Sequence, residues 1–277
     1  MEIITSRRNP GLKEIRELKK RAARETLGLT FIEGQRLVGE AFSASPQVGI
    51  KAVYVSESYA RGGSFTRTEK AASERDIRLF MLPDGVFADI SDTMNPQGLL
   101  AVIETRYRTL EELARRGARR RLVLILDRVS DPGNAGAMLR TAGAAAFTGA
   151  ILSEGCVDAY SPKVLRASMG AVFRVPVMRG AGAGESAAGL KRMGFTVYAS
   201  SAARGGRELD CFRAELGEGD AALIIGSEAA GIGEAALGLC DGVLTIPMDA
   251  GTESLNAGVA AGILMYEFYR RERYGAR

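Results

Sequence analysis

Two apolar runs in the second half of the chain leave little freedom of fold. Residues 122–126 read LVLIL and residues 221–225 read AALII, with no polar residue in either. A strand with one face in water alternates apolar and polar side chains. An unbroken run fits a strand covered on both faces, as in a parallel sheet flanked by helices. Shorter apolar segments at 150–152, 175–177, 196–199 and 242–246 supply further strands. Between them, 134–146, 163–168, 185–192, 233–239 and 253–269 read as helices. The expectation is a parallel α/β sheet, and such sheets bind ligands beyond the carboxyl ends of their strands.

The first half alternates as well. Residues 10–25, 33–43 and 65–75 read as helices, 29–32, 50–55, 77–81 and 98–103 as strands, and Pro83 opens a short helix. With 277 residues the chain has room for two cores. We therefore expect a smaller α/β domain over residues 1–105, a basic connector over 106–121 and the parallel-sheet domain over 122–277.

Charge is unevenly spread. Residues 7–24 carry eight basic and two acidic side chains, and residues 106–121 carry seven arginines against Glu111 and Glu112. Those stretches are +6 and +5, which leaves −7 on the rest of a chain whose total is +4. Basic patches on a mildly acidic body point to a polyanion partner, although solvated helix faces would look the same.

Several function classes drop out. The chain has no histidine, which removes Ser-His-Asp and Cys-His catalysis and any histidine-bound metal. Cys156, Cys211 and Cys240 form no CxxC pair, so neither a zinc site nor a disulfide framework is expected. No apolar run reaches membrane-helix length, and the N-terminus does not read as a signal peptide. No metal, no membrane and a cytoplasmic location are the resulting expectations. Gly180, Gly182 and Gly184 have the wrong spacing and position for a nicotinamide-binding turn.

Three segments that end strands carry the chemistry. In the first, Asp131-Pro132-Gly133 reads as a turn, Asn134 suits a helix cap, and Arg140 follows just under two turns later. In the second, Gly226 and Gly231 bracket Glu228 in a strand-to-helix turn. In the third, Ile246-Pro247-Met248 precedes Ser254-Leu255-Asn256 and a helix that begins with Ala257, Gly258, Ala260, Ala261 and Gly262. Thr252 or Ser254 would cap that helix, with Glu253 in its first turn. Each glycine inside a helix costs about 1 kcal/mol against alanine. That cost is expected where a helix, a partner subunit or a threaded loop comes close to the backbone.

Together these segments resemble the three signature motifs of the SpoU/TrmH family, in the SPOUT superfamily of RNA methyltransferases. Asp131, Pro132, Asn134, Gly136, Arg140, Thr141 and Ala142 match the first motif. Gly226, Glu228, Gly231 and Ile232 match the second. Ile246 to Met248, Ser254 to Asn256 and Val259 to Ala261 match the third. Ser161-Pro162-Lys163 and the run from Arg166 to Ala171 are similar to a segment of the ribosomal RNA branch. Residues 4–41, with Thr30 to Gly34, resemble that branch's substrate-binding domain, which folds like a small RNA-binding ribosomal protein. Ala257-Gly258 departs from the family's more frequent Val-Ser.

The resemblance implies a deep trefoil knot in the C-terminal domain and a homodimer formed through it. It implies S-adenosylmethionine held near Ser200, Gly226, Ile246, Met248 and Leu255. It also implies methyl transfer to a ribose 2′-hydroxyl of RNA, 23S ribosomal RNA by the N-terminal resemblance. Arg140 would bind the target's phosphate and stabilise the developing alkoxide. Asn134, Ser254 and Asn256 would position the ribose, and Glu228 would orient Arg140 or accept the proton. A transfer-RNA-directed enzyme and a non-catalytic RNA-binding member remain alternatives, and calorimetry with S-adenosylmethionine separates the second from an enzyme.

Overall fold

The alternation of strands and helices resolves into two sheets, each within its own compact unit. The computed structural model describes residues 1–45, 47–115, 120–201, 208–249, 251–252 and 254–275. One unit comprises Met1–Arg106 and Tyr160–Phe173; the other comprises Tyr107–Ala159 and Arg174–Arg277.

The first unit contains β1 (Glu2–Ile3), α1 (Pro10–Glu17), α2 (Arg21–Leu27), β2 (Leu29–Glu33), α3 (Gln35–Ser43), β3 (Ile50–Ser56), α4 (Glu57–Ala60), α5 (Phe65–Ser73), β4 (Arg78–Leu82), α6 (Asp84–Ile90) and β5 (Leu99–Glu104). The sheet order is β1-β4-β3-β5-β2, with β5 antiparallel to both its neighbours. Leu12, Ile15 and Leu18 join Val86, Phe87 and Ile90 over Phe31, Tyr54, Phe80 and Leu100 to form the core. Where sequence suggests one helix over 10–25, the chain breaks at Leu18–Lys20. Arg24 is buried there and donates to the carbonyls of Leu18 (2.8 Å) and Lys19 (3.0 Å), so α1 ends on a side chain from α2.

The second unit contains α7 (Leu110–Leu113), β6 (Leu122–Asp127), α8 (Pro132–Ala144), β7 (Gly149–Leu152), β8 (Val177–Arg179), α10 (Ala183–Arg192), β9 (Thr196–Ser200), β10 (Glu208–Asp210), β11 (Ala221–Gly226), α11 (Glu234–Leu237), β12 (Gly242–Thr245) and α12 (Ala257–Tyr274). The intervening α9 (Pro162–Ala167) belongs to the first unit. All strand pairings are parallel, in the order β10-β12-β9-β11-β6-β7-β8. The two unbroken apolar runs, β6 and β11, are neighbours inside this sheet. Val123, Ile125, Ala222 and Ile224 face α7, α10 and α11 through Leu113, Ala187, Leu190 and Ala236. The other face is covered by α8 and α12, where the Phe268 ring packs edge-on against Phe147 and Tyr198.

The arginine-rich connector is partly structural. Arg121 is buried, pairs with Asp220 and stacks over Phe195, and Arg120 donates to the carbonyls of Gly217 and Gly219 (both 2.6 Å). Arg116 and Arg119 lie outside the described residues. The thiols of Cys211 and Cys240 are pushed up to about 11 by burial, as expected of small core side chains. Among the described residues, no helix is long and apolar enough to cross a membrane.

α12 is anchored near its end. Glu267, 3% exposed, accepts from Arg270 and Arg271, and Arg271 also donates to the carbonyls of Cys211 (2.9 Å) and Ala214. Burial alone would raise the Glu267 carboxyl, but these hydrogen bonds outweigh it and hold it below the usual range. A depressed carboxyl stabilises the fold above its ordinary value and loses that contribution as pH falls. Glu267→Gln is therefore expected to cost about 3 kcal/mol at pH 7. The difference from wild type in urea denaturation should begin to shrink below about pH 4.3, where the unfolded chain takes up the proton, and vanish only once pH has fallen through the lower native value.

Candidate active site

The carboxyl ends of β6, β11, β9 and β12 lie side by side. Their registers pair Asp127 with Gly226, Ala199 with Ile224, and Ser200 with Leu244. Gly226, Ser200 and Ile246 therefore sit along one edge of the sheet. Ile246, Met248 and Leu255 are all half-buried there.

α8 starts earlier than the sequence suggested, because Asp131 and not Asn134 is its cap. The Asp131 carboxylate accepts from the Asn134 amide at 2.7 Å, and Pro132 occupies the first turn. This leaves the Asn134 side chain free of capping duty. α12 likewise starts later than expected. Its cap is Asn256, not Thr252 or Ser254, and Glu253 lies outside the described residues. Asn256 Oδ1 accepts from the amides of Gly258 (2.9 Å) and Val259 (3.2 Å).

The two helix starts converge on one carboxylate. Asn256 Nδ2 donates to Asn134 Oδ1 at 3.1 Å and to Glu228 Oε1 at 3.3 Å, while Asn134 Nδ2 donates to the same Glu228 oxygen. Three of the five expected catalytic residues, one from each motif, thus form a closed triangle. Both helices present their positive ends here, which favours an anion. Glu228 and Asn256 are exposed and Asn134 is half-buried, so the triangle faces solvent.

The other two stand apart. Arg140 is exposed on α8 and makes no ion pair among the described residues. Glu228 is engaged by the two asparagines, with no bond to Arg140. Ser254 is exposed two residues before the Asn256 cap.

The glycines of these motifs have different causes. A side chain at Gly226 would place its Cβ 2.3 Å from the Gly231 carbonyl carbon and 2.5 Å from the Ile232 nitrogen. The turn after β11 folds back onto Gly226, closed by Gly231 N–H donating to the Ser227 carbonyl at 2.9 Å. Gly226 therefore serves the closure of its own turn. At Gly258 a Cβ would sit 3.3 Å from Asn134 Oδ1. The small residues of α12 reflect a helix neighbour, α8, at close range, which was one of the three expected explanations.

Sequence reading missed Asp127. This buried carboxylate ends β6 and accepts from the Gly233 amide (2.8 Å) and from Arg128 (3.1 Å). Its one sequence signal is a charged residue that directly ends an apolar run.

The residues at the strand ends fit S-adenosylmethionine. Half-buried Ile246, Met248 and Leu255 offer apolar surface to a purine ring, and the glycine-bearing turn leaves backbone amides and carbonyls at the edge of the sheet. Among the described residues, no cluster of His, Cys, Asp or Glu could hold a metal ion.

Comparison with known proteins bears on this site. Residues 121–266 match the model of the SpoU rRNA methylase family, and residues 9–101 match an MRM3-like substrate-binding domain. The chain is 34% identical to the 23S rRNA (guanosine(2553)-2′-O)-methyltransferase RlmP of Bacillus subtilis, over 96% of this chain and 98% of that one. It is 31% identical to the mitochondrial rRNA methyltransferase 3A of Danio rerio, over 91% of this chain and 66% of the relative. The crystal structure of an AdoMet-bound rRNA methyltransferase from Sinorhizobium meliloti superposes with a TM-score of 0.84 at 27% identity, covering 98% of each chain.

Gly226→Ala forces a side chain into backbone that cannot yield. It is expected to lower stability by about 1–3 kcal/mol in urea denaturation. Gly180→Ala, where nothing lies within 4 Å of a Cβ but φ is +96°, is the control for a purely conformational effect.

Proposed function

The chain belongs to the SpoU rRNA methylase family, and we propose that it transfers a methyl group from S-adenosylmethionine to a ribose 2′-hydroxyl of 23S ribosomal RNA. Its fold class is that of the knotted SPOUT methyltransferases, with a smaller N-terminal α/β domain. The observation that carries the functional reading is the closed triangle of Asn134, Glu228 and Asn256, which unites the three motifs beside the strand ends.

Ser200, Gly226, Ile246, Met248 and Leu255 hold the cofactor at the carboxyl edge of the sheet. Once bound, the cofactor supplies an electrophilic methyl group. The protein's task is then to present a ribose oxygen in line with it and to stabilise the charge that grows on that oxygen. Glu228 Oε1 already accepts from the side-chain amides of both Asn134 and Asn256, so this oxygen is committed to holding the two helix starts together. We therefore assign Glu228 to positioning and not to proton removal. Asn134 and Asn256 fix the edge against which the ribose rests, with Ser254 beside them. Arg140 is solvent-facing and a guanidinium stays protonated at ordinary pH, so it grips the target's phosphate and stabilises the developing alkoxide.

Residues 1–105 serve as the RNA substrate-binding domain. Arg7, Arg8, Lys13, Lys19, Lys20 and Arg21 are exposed there, Arg7, Lys20 and Arg21 in surface ion pairs with Asp89, Glu17 and Glu25 that phosphates can compete for, whereas Arg24 is buried. Incubating the protein with labelled cofactor and total RNA from a strain lacking the gene, then mapping 2′-O-methyl positions, tests the activity. A signal confined to transfer RNA would overturn the ribosomal assignment. Arg140→Ala is expected to lower kcat at least about 100-fold, and an unchanged kcat would remove Arg140 from the mechanism.

The working form is a homodimer through the C-terminal domain. Val259 and Tyr266 are 52% and 56% exposed on α12, an apolar stripe at helical spacing. Tyr266→Glu is expected to yield a monomer in sedimentation equilibrium, and a dimer that persists would place the interface elsewhere.

A further inference from the structure

Arg128 directly follows β6 and has φ of +58°, a left-handed conformation that a long side chain seldom adopts. Such a residue persists where its surroundings hold it, and these outliers gather at functional sites. Here the restraints are visible. The Arg128 amide donates to Ser153 Oγ at 3.1 Å. Its guanidinium forks onto Asp127, with Nε to Oδ1 at 3.1 Å and Nη2 to Oδ2 at 3.2 Å. The stem passes Gly155, where a Cβ would stand 3.2 Å from Arg128 Cγ.

The outer end of this ion pair grips the turn after β11 at two points. Arg128 Nη2 donates to the Gly231 carbonyl at 3.3 Å, and the Gly233 amide donates to Asp127 Oδ2 at 2.8 Å. Gly231 is also the residue that folds onto Gly226. Between Gly226 and Gly231 the turn carries Glu228. Four residues after Asp127, Asp131 caps α8 and so places Asn134.

We infer that Asp127 and Arg128 form a positioning clamp for the methyl-transfer site. Neither touches the triangle. Together they fix the turn that delivers Glu228 to Asn134 and Asn256. The inference rests on the reading of Glu228 and its turn as part of that site.

Residue-resolved amide hydrogen exchange on the full chain without cofactor reads the clamp apart from activity. In Arg128→Ala the amides of Gly231 and Gly233 should exchange about 10-fold faster, with those of β6 and β11 unchanged. On the RNA substrate, kcat should fall about 10-fold at an unchanged KM for RNA, because a slightly displaced positioning group affects the reacting geometry and not the grip on substrate. Arg128→Lys keeps the charge without the fork and should restore turn protection only in part. Asp127→Asn should move the same amides in the same direction; should that variant fail to fold, the arginine variants decide.

Wild-type exchange at Gly231 and Gly233 in Arg128→Ala overturns the clamp. Faster exchange spread evenly over β6 and β11 overturns it too, since that marks a general loss of stability. A loosened turn with wild-type kcat overturns its role in this reaction. If the wild-type protein methylates no RNA, the proposed function falls while the exchange data still judge the clamp.

Discussion

Asn256 uses the two ends of its amide in opposite directions. The oxygen caps α12 by accepting from Gly258 and Val259, and the nitrogen reaches across to Asn134 and Glu228. One planar group thus joins the start of the last helix to the start of α8 and to the turn after β11. α12 is then held along its length, with Phe268 packed against Phe147 and Tyr198 and Arg271 bonded to the Cys211 and Ala214 carbonyls. Aspartate at 256 could cap equally well, but it could not donate to Glu228 and would set two carboxylates side by side.

Polar order at this edge is layered by depth. Deepest lies Asp127, 5% exposed, with Ser153 and the Gly233 amide. Above it Arg128 bridges from that buried carboxylate to the turn. Arg128 is itself exposed, as are Glu228 and Asn256, and Asn134 is half-buried. The buried carboxylate is satisfied by a guanidinium and a backbone amide, as a buried charge requires. Buried arginines elsewhere in the chain are bonded too. Arg24 and Arg121 are structural, and Arg140 is exposed without an ion pair among the described residues.

The second sheet was legible because burial on both faces writes itself into β6 and β11 as unbroken apolar runs. The site was legible as three motifs, and their order matched a family. The caps were harder to read. Asp131 and Asn134 are both good capping residues three positions apart, and only the position of Pro132 in the first turn favours the former. At α12, three plausible caps precede the helix, and the chosen one is set by where α8 lies, which is tertiary information. The break between α1 and α2 has no glycine or proline to announce it, because Arg24 makes it from a distance. The strained Arg128 is equally silent, since nothing about an arginine advertises a left-handed backbone. Charge counting overstated the exposed basic surface because it included Arg24 and Arg121, which are buried: a sequence shows sign and spacing, not depth.

The membership of Tyr160–Phe173 in the first unit bears on how the protein is made. Thr30 is fully buried in β2, and its hydroxyl donates to the Tyr160 carbonyl at 2.8 Å. Arg166 on α9 pairs with Asp92 at 3.0 Å. A nascent chain that has emerged as far as Arg106 has every strand of the first sheet but still lacks this last piece. By the time Phe173 emerges, β6 and β7 of the second unit have already been synthesised. The two units cannot mature strictly one after the other on the ribosome; the first stays incomplete until the second has begun.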